Sequence, residues 1–232
     1  MAKSKIIKDI ANGTIDTMTA LKRAKILFAA LENDELLDWV NHEISGYPVD
    51  AKLPDYRVER GTLKGSYFKG SMASHMKWND VSIPLGKMPA DLAEDILRLQ
   101  FHDGVNALKQ LVETSDNGQL AKPIPADFFP YIAKYNNDPY MNIVSARVIG
   151  STHCVTNIFS VIENRLLDAL LLLEKEFGIL DDLDIDTSTK SPDEIQTIAK
   201  KVYVIIYNDQ SVHIGDGNKI KNSNIASIQN GD

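Results

Sequence analysis

Cysteine is almost absent from this 232-residue sequence, whose single cysteine is Cys154. One cysteine can form neither an internal disulfide nor a cysteine-rich zinc site, so we expect a reducing compartment and, by default, the cytoplasm. Long apolar runs are also missing: the sequence has no stretch of ~18 apolar residues and no signal-peptide core at its start. We therefore expect neither a membrane span nor export, and no motif predicts a metal or another cofactor.

Positive charge is in deficit. Lysine and arginine number 25 against 32 acidic residues, which gives a net charge of −7 and a pI near 5.3. This balance argues against a protein that coats a phosphate backbone, so we do not expect nucleic acid as a partner. The basic residues of the first two predicted helices lack interleaved aromatics, and we interpret them as a solvated face: Lys3, Lys5, Lys8, Lys22, Arg23 and Lys25.

The composition is that of a globular protein, with 44% hydrophobic and 25% charged residues. Apolar residues at helical spacing predict helices over 4–12, from 16 or 17 onward, after Asn33, and from 153 to 177. From Asp55 the pattern alternates, and its face switches near Gly61, where we expect a β-bulge. A central strand, covered on both faces, is predicted over 140–149. These elements predict an α+β fold, mainly helical, with a small mixed or antiparallel sheet.

The C-terminal region differs in composition from the rest. We divide the chain into an α+β domain over 1–185, a linker with a short helix over 186–200, and a β tail over 201–232. Residues 202–207 are β-branched or aromatic, which predicts a strand, and glycine- and asparagine-rich turns separate the later apolar residues. So small a sheet needs a partner surface, either its own domain or further copies. We favour a homo-oligomer, with a trimer as one arrangement, and the expected interface residues are Val212, Ile214, Ile220, Ile225 and Ile228.

One cluster of residues is a candidate for chemistry: Asp38, His42, Glu43, Asp55 and Arg57. Asp38 and His42 are one helical turn apart, a spacing that suits a general base or part of a metal site. The second histidine of a metalloprotease helix is missing, and the pattern is common on solvated faces. Arg57 can pair with Asp55, with Glu43 or with an external phosphate, and we favour pairing within the fold.

Cys154, the lone thiol, stands at the start of the most apolar helix. A thiol at a helix N-terminus can be activated as a nucleophile, but a cysteine beside so apolar a segment is more often buried and inert. We therefore interpret Cys154 as structural.

Three blocks carry a family resemblance: DIANG at 9–13, LLDWVNHEISGY at 36–47 and LPDYR at 53–57. Together they resemble the AbiTii domain family of bacterial abortive-infection and phage-defence loci. The resemblance extends to about residue 185, and the tail is similar to the glycine- and asparagine-rich β ends that follow such domains. It implies a role in biological conflict and provides no catalytic residues to carry over.

Two functions follow as hypotheses. We favour a non-enzymatic interaction or regulatory component of a phage-defence system, which binds a partner protein of its locus while the β tail assembles copies. The alternative is an effector enzyme or toxin acting on nucleotide or nucleic acid through the cluster around His42.

Overall fold

The central element of the fold is helix α7, Thr152–Phe177, which spans 26 residues. In this computed structural model, which describes residues 3–71, 74–138 and 140–207, one face of α7 is buried along its whole length. The buried residues recur every three or four positions, as the sequence predicts: Val155, Ile158, Ile162, Leu166, Ala169, Leu170 and Leu173. The helix begins at Ser151, whose hydroxyl accepts a hydrogen bond from the His153 N–H.

Five helices surround α7. They are α1 (Lys5–Ala11), α2 (Thr17–Ala29), α3 (Asp34–Ser45), α5 (Val105–Glu113) and α8 (Pro192–Tyr207). Helices α1, α2, α5 and α8 pack directly on α7, and α3 packs on α2, α5 and α8. The apolar faces that the sequence shows at helical spacing all point into this shared core.

The segment 202–207 corrects a prediction. We expected it to be the first strand of the β tail, but it forms the last turns of α8, where Val202 and Ile206 are buried. Its β-branched and aromatic residues favour strands only weakly, and packing against α7 and α3 overrides that preference. The rest of the predicted tail, 208–232, lies outside the described residues.

A four-stranded antiparallel sheet forms the second layer. Its strands are β2 (Thr62–Ser71), β3 (Ser74–Ser82), β5 (Gln119–Pro123) and β6 (Asn142–Ser151), in the order β3-β2-β6-β5. Strand β6 is therefore central, as predicted, and it runs into α7 without an intervening loop. The prediction that both of its faces are covered is wrong, because Ala146 and Val148 are buried on one face while Ser145, on the opposite face, is exposed.

The predicted bulge near Gly61 is also wrong. The chain changes sheets at Gly61, from β1 (Val58–Arg60), which pairs with β4 (Arg98–Gln100), to β2. A Cβ on Gly61 would lie 2.4 Å from Val148 Cγ1, so only glycine fits where the two sheets meet. The irregularity in β2 pairing lies further on, at Ser66. Two more helices, α4 (Ala90–Leu97) and α6 (Phe129–Tyr135), complete the described chain, which is α+β with antiparallel sheets.

The N-terminus is fastened to the far end of α7 by a set of contacts that we call the N-terminal clasp: Lys3, Ser4, Glu174 and Leu180. The backbone N–H and the hydroxyl of Ser4 both donate to Glu174 Oε1 at 2.6 Å. The Ser4 hydroxyl also accepts from the Leu180 N–H at 3.0 Å, and Lys3 Nζ lies 2.6 Å from Glu174 Oε2. The clasp therefore joins the first helix to residues about 170 positions later in the chain.

Among the described residues, no helix combines the length and the apolar character needed to cross a membrane.

Candidate functional site

The structure separates the five candidate residues into exposed and buried groups. Asp38 and Asp55 are exposed, His42 is half-buried, and Glu43 and Arg57 are completely buried. The His42 ring stacks on Tyr47, with ring centroids 4.8 Å apart. A substrate could therefore reach Asp38, Asp55 and the half-buried His42, but not Glu43 or Arg57.

Glu43 and Arg57 form a buried ion pair. The Arg57 guanidinium donates to Glu43 Oε2 through a terminal nitrogen at 2.5 Å, and its Nε lies 3.2 Å from both carboxylate oxygens. Both side chains have an exposed fraction of 0%. Another Arg57 nitrogen donates to the carbonyl oxygens of Phe101 at 2.7 Å and Asp103 at 2.8 Å. The guanidinium is thus bound to the backbone of residues 101–103 as well as to the carboxylate.

Three aromatic side chains complete what we call the Glu43 cluster: Trp39, Glu43, Tyr47, Tyr56 and Arg57. The hydroxyls of Tyr47 and Tyr56 donate to Glu43 Oε1 at 2.7 and 2.6 Å. The Trp39 indole N–H donates to the Tyr56 hydroxyl at 3.0 Å. The described residues contain no buried side-chain nitrogen or oxygen without a hydrogen-bond partner.

Burial controls the protonation of this cluster. Burial and the negative charge of Glu43 raise the pKa of Tyr47 and of Tyr56 far above the ordinary value for tyrosine, so both hydroxyls stay protonated and donate. Burial alone would lower the pKa of Arg57, but the hydrogen bonds and charge of Glu43 outweigh it and raise this pKa. The two tyrosines therefore act as hydrogen-bond donors to Glu43, and Arg57 keeps its positive charge.

Local sequence places Glu43 inside. Helix α3 is capped by Asn33, whose side chain accepts from the Leu36 N–H, and Leu36, Trp39, Val40 and Glu43 then share its buried face. The helix ends at Gly46, which adopts a φ of 101° that favours glycine. The following Tyr47 N–H donates to the His102 carbonyl oxygen at 2.7 Å, which turns the Tyr47 ring toward the cluster.

Arg165 of α7 links the cluster to α8. Its guanidinium lies over the Tyr56 ring, 4.5 Å from the ring centroid. The same group donates to the Ile206 carbonyl oxygen at 2.5 Å, in the last turn of α8. The end of α8 is also held by the Tyr207 hydroxyl, which donates to the Glu35 carbonyl oxygen at 3.1 Å. The cluster is therefore continuous with the point where the described chain ends.

Glu43 and Arg57 are candidates from the sequence, whereas the three aromatic partners and Arg165 are not. A signal was available for Glu43, because it lies three and four residues after Val40 and Trp39, in line with the apolar stripe of α3. A carboxylate in such a stripe indicates a buried, paired group. Arg165 is more than 100 residues away in sequence from Tyr56, and no local pattern relates the two.

The arrangement is suited to holding the fold together. Glu43 Oε1 accepts from two tyrosines, Oε2 is occupied by Arg57, and neither group is exposed. A substrate could reach this carboxylate only by displacing a buried hydrogen bond, which costs about 1–3 kcal/mol for each group left unpaired. The cluster ties α3, the turn at Asp55–Arg57, residues 101–103 and α7 to one another.

Other candidate chemistry is also weak. Across the described residues, no group of three or more His, Cys, Asp or Glu side chains is arranged to hold a metal. Burial raises the pKa of the half-buried Cys154 thiol, which disfavours the thiolate that a nucleophile needs. The predicted interface residues of the tail, Val212, Ile214, Ile220, Ile225 and Ile228, all lie outside the described residues.

A surface cleft of about 640 Å³ lies between α6 and the start of β6. Its walls include Phe129, Ala133, Lys134, Asn137 and Met141. It shares no residue with the Glu43 cluster, and its charged residues are surface groups, of which Asp138 pairs with Lys69 at 3.1 Å. The cleft therefore adds no catalytic group to the candidate residues.

Comparison with known proteins identifies a family. The AbiTii family model matches residues 4–199, most of the chain. No curated protein and no solved structure matches the chain.

Proposed function

The chain belongs to the AbiTii family, and on this premise we propose that it is a non-enzymatic interaction or regulatory component of its defence system. The family implies abortive-infection defence against phages. Within that context, an interaction role requires a rigid domain that presents surfaces, whereas an effector enzyme requires reactive groups that a substrate can reach.

The saturation of the Glu43 cluster is the observation that supports this proposal. Its acid and base groups are paired with one another and excluded from water. The exposed members of the candidate set, Asp38 and Asp55, stand apart from these groups. Charged groups arranged in this way support structure, since a catalytic group must touch its substrate.

We further propose that copies assemble through the C-terminal segment, with Val212, Ile214, Ile220, Ile225 and Ile228 at the interface. The support from the described chain is the way α8 is held: Arg165 binds the carbonyl of Ile206, and Tyr207 binds that of Glu35. The residues just before the segment are therefore held in place on the domain. A fixed attachment point favours assembly because less conformational freedom is lost when copies associate.

Variants of the accessible candidates test the non-enzymatic role. His42→Ala and Asp38→Asn leave the buried pair intact, so their effect on folding is small and their effect on chemistry is direct. Phage protection, or growth arrest if expression causes it, should remain at the wild-type level in bacteria carrying either variant. Loss of the phenotype by a variant with an unchanged melting temperature would favour the alternative, an effector enzyme acting on nucleotide or nucleic acid.

Light scattering of the full chain tests assembly. We expect a multimer for the unchanged protein and a smaller species for the Ile214→Asp/Ile220→Asp double variant. Ile26→Asp is a matched control, because Ile26 is 53% exposed on α2 and outside the proposed interface. A truncated chain should end after Tyr207, since an earlier end would cut α8. A monomeric full-length protein at high micromolar concentration would contradict assembly.

A further inference from the structure

The side of the four-stranded sheet that faces away from the core, which we call the outer face, is defined by the strand register. Leu63, Tyr67, Ala146 and Val148 are buried and point into the core. Side chains alternate along a strand, so the residues between them point outward. The outer face includes Lys64, Ser66, Phe68, Lys77, Ser145 and Arg147.

Positive charge is concentrated on this face although the chain as a whole carries −7. Lys64 lies directly opposite Arg147 in the pairing of β2 with β6. Like charges in directly opposed positions destabilise a sheet, so this pair opposes folding. Asp80 contacts Arg147 at 2.6 Å, while Lys64 and Lys77 have no ion-pair partner within the described ranges.

An aromatic ring accompanies these cations. Phe68 is half-buried, lies directly opposite Lys77 in the pairing of β2 with β3, and points away from the buried Tyr67 that precedes it. Its ring centroid is 5.4 Å from that of His75 on the neighbouring strand. A half-buried phenylalanine beside lysines on the outer face provides an aromatic ring for a planar ligand.

We propose that the outer face binds single-stranded nucleic acid, with Lys64, Lys77 and Arg147 against phosphates and Phe68 stacked on a base. Cations that follow the backbone and an aromatic platform for bases are the two features that such ligands require. An exposed antiparallel sheet accommodates splayed bases, whereas duplex grooves are read by an inserted helix or ribbon. This inference goes beyond the proposed function and does not depend on the tail.

It also revises an expectation from the sequence. Net charge argued against nucleic acid as a partner, and the basic residues of α1 and α2 lacked aromatics. The sheet register brings Lys64 beside Arg147, which is more than 80 residues away in the chain, and Phe68 beside Lys77. Residues that are far apart in the sequence thus form one patch that contains both cations and an aromatic ring.

Fluorescence anisotropy tests the proposal with the full chain and labelled poly(U) and poly(dT) of about twelve nucleotides, in the range of single-strand sites. At about 50 mM salt we expect saturable binding that weakens with added salt, with a log–log slope of about −0.7 for each phosphate contacted. Lys64→Gln/Lys77→Gln and, separately, Phe68→Ala should each weaken binding by about tenfold, the latter by loss of one stacked base.

The matched control is Lys22→Gln/Lys25→Gln, which removes the same charge from two exposed lysines of α2. It should bind like the unchanged protein. If one of the two polymers binds more tightly than the other, the proposal is still supported. A preference for poly(U) over poly(dT) would then indicate that the protein recognises the 2′-hydroxyl. Absence of binding, an equal loss in the control, or a preference for duplex DNA or anionic vesicles would overturn it.

Discussion

Glu43 and Glu174 hold distant parts of this chain together in two different ways. Glu43 is completely buried and is neutralised by an equally buried arginine. Glu174 has a side chain 11% exposed, binds the buried Ser4, and pairs with Lys3, which is 55% exposed. One carboxylate therefore depends on a counter-charge inside the protein, and the other on neutral donors and a cation in contact with water.

The free-energy cost of removing a partner differs between the two carboxylates. Removing one member of the Glu43–Arg57 pair leaves the other charged and without solvent, which is strongly unfavourable. Glu174 loses less if a partner is removed, because water can replace part of what is lost. Burial alone would raise the pKa of Glu174, but the bonds from Lys3 and Ser4 outweigh it and lower this pKa to about 2.

The largest effect is expected from Glu43→Ala. It leaves Arg57 buried without a carboxylate and two tyrosine hydroxyls without an acceptor, so the free energy of unfolding should fall by about 3–5 kcal/mol. Urea denaturation, monitored by circular dichroism, measures this free energy. A matched double variant, Glu43→Leu/Arg57→Leu, should lose less than the two single variants together, because no uncompensated charge remains. Additive losses would show that the two side chains act independently.

A smaller loss is expected from Ser4→Ala. Ser4 is completely buried, and its hydroxyl both donates to Glu174 and accepts from the Leu180 N–H. Without it the Leu180 N–H is left unpaired, which should lower the free energy of unfolding by about 1–3 kcal/mol. Amide hydrogen exchange should show faster opening of α1 and residues near 180. Unchanged exchange there would mean that packing, not the clasp, holds α1 in place.

The clasp should also make stability depend on acid. Because the pKa of Glu174 is about 2 when folded and ordinarily 4.5, the unfolded chain binds more protons between these values. The contribution of Glu174 is complete above about pH 5 and is lost as pH falls toward 2. In the Glu174→Gln variant, the urea concentration at the unfolding midpoint should change less with pH across this window than in the unchanged protein. An equal dependence on pH in both proteins would contradict the prediction.

Lys3→Ala should have the smallest effect. Lys3 is largely exposed, and an exposed ion pair contributes about 0–1 kcal/mol. We expect a change in melting temperature of a few degrees at most in low salt, which disappears in high salt. A loss as large as that of Ser4→Ala would mean that the cation, not the neutral donors, stabilises Glu174.

Local patterns predicted the helices better than the sheet. The apolar spacing of 153–177 identified α7, because one buried face repeated over 26 residues is a strong signal. Gly61 was misinterpreted because a change of sheet and a bulge both reverse the alternation of side chains. Residues 202–207 were misinterpreted because their helix depends on contacts with α7 and α3, which the local sequence does not show.

The candidate site was half predictable. Residue type and proximity in the sequence point to Glu43 and Arg57, and they favour pairing of Arg57 within the fold. The partners Tyr47 and Tyr56 are not predictable, because the sequence does not show where a tyrosine hydroxyl points. Asp38 and His42 have a suitable spacing, but spacing does not say which face of a helix is buried.

The N-terminal clasp cannot form until most of the chain has been synthesised. Ser4 binds Glu174, which lies 170 residues later in the chain, and β2 can pair with β6 only after β6 has been made. At synthesis rates of about 5–20 residues per second, the first helix spends roughly 9–34 s outside the ribosome before its partner emerges. The apolar face of α1, with Ile6, Ile7 and Ile10, lacks its contacts with α7 during that interval. In a newly made chain, α1 is thus open to chaperones and proteases until α7 is complete.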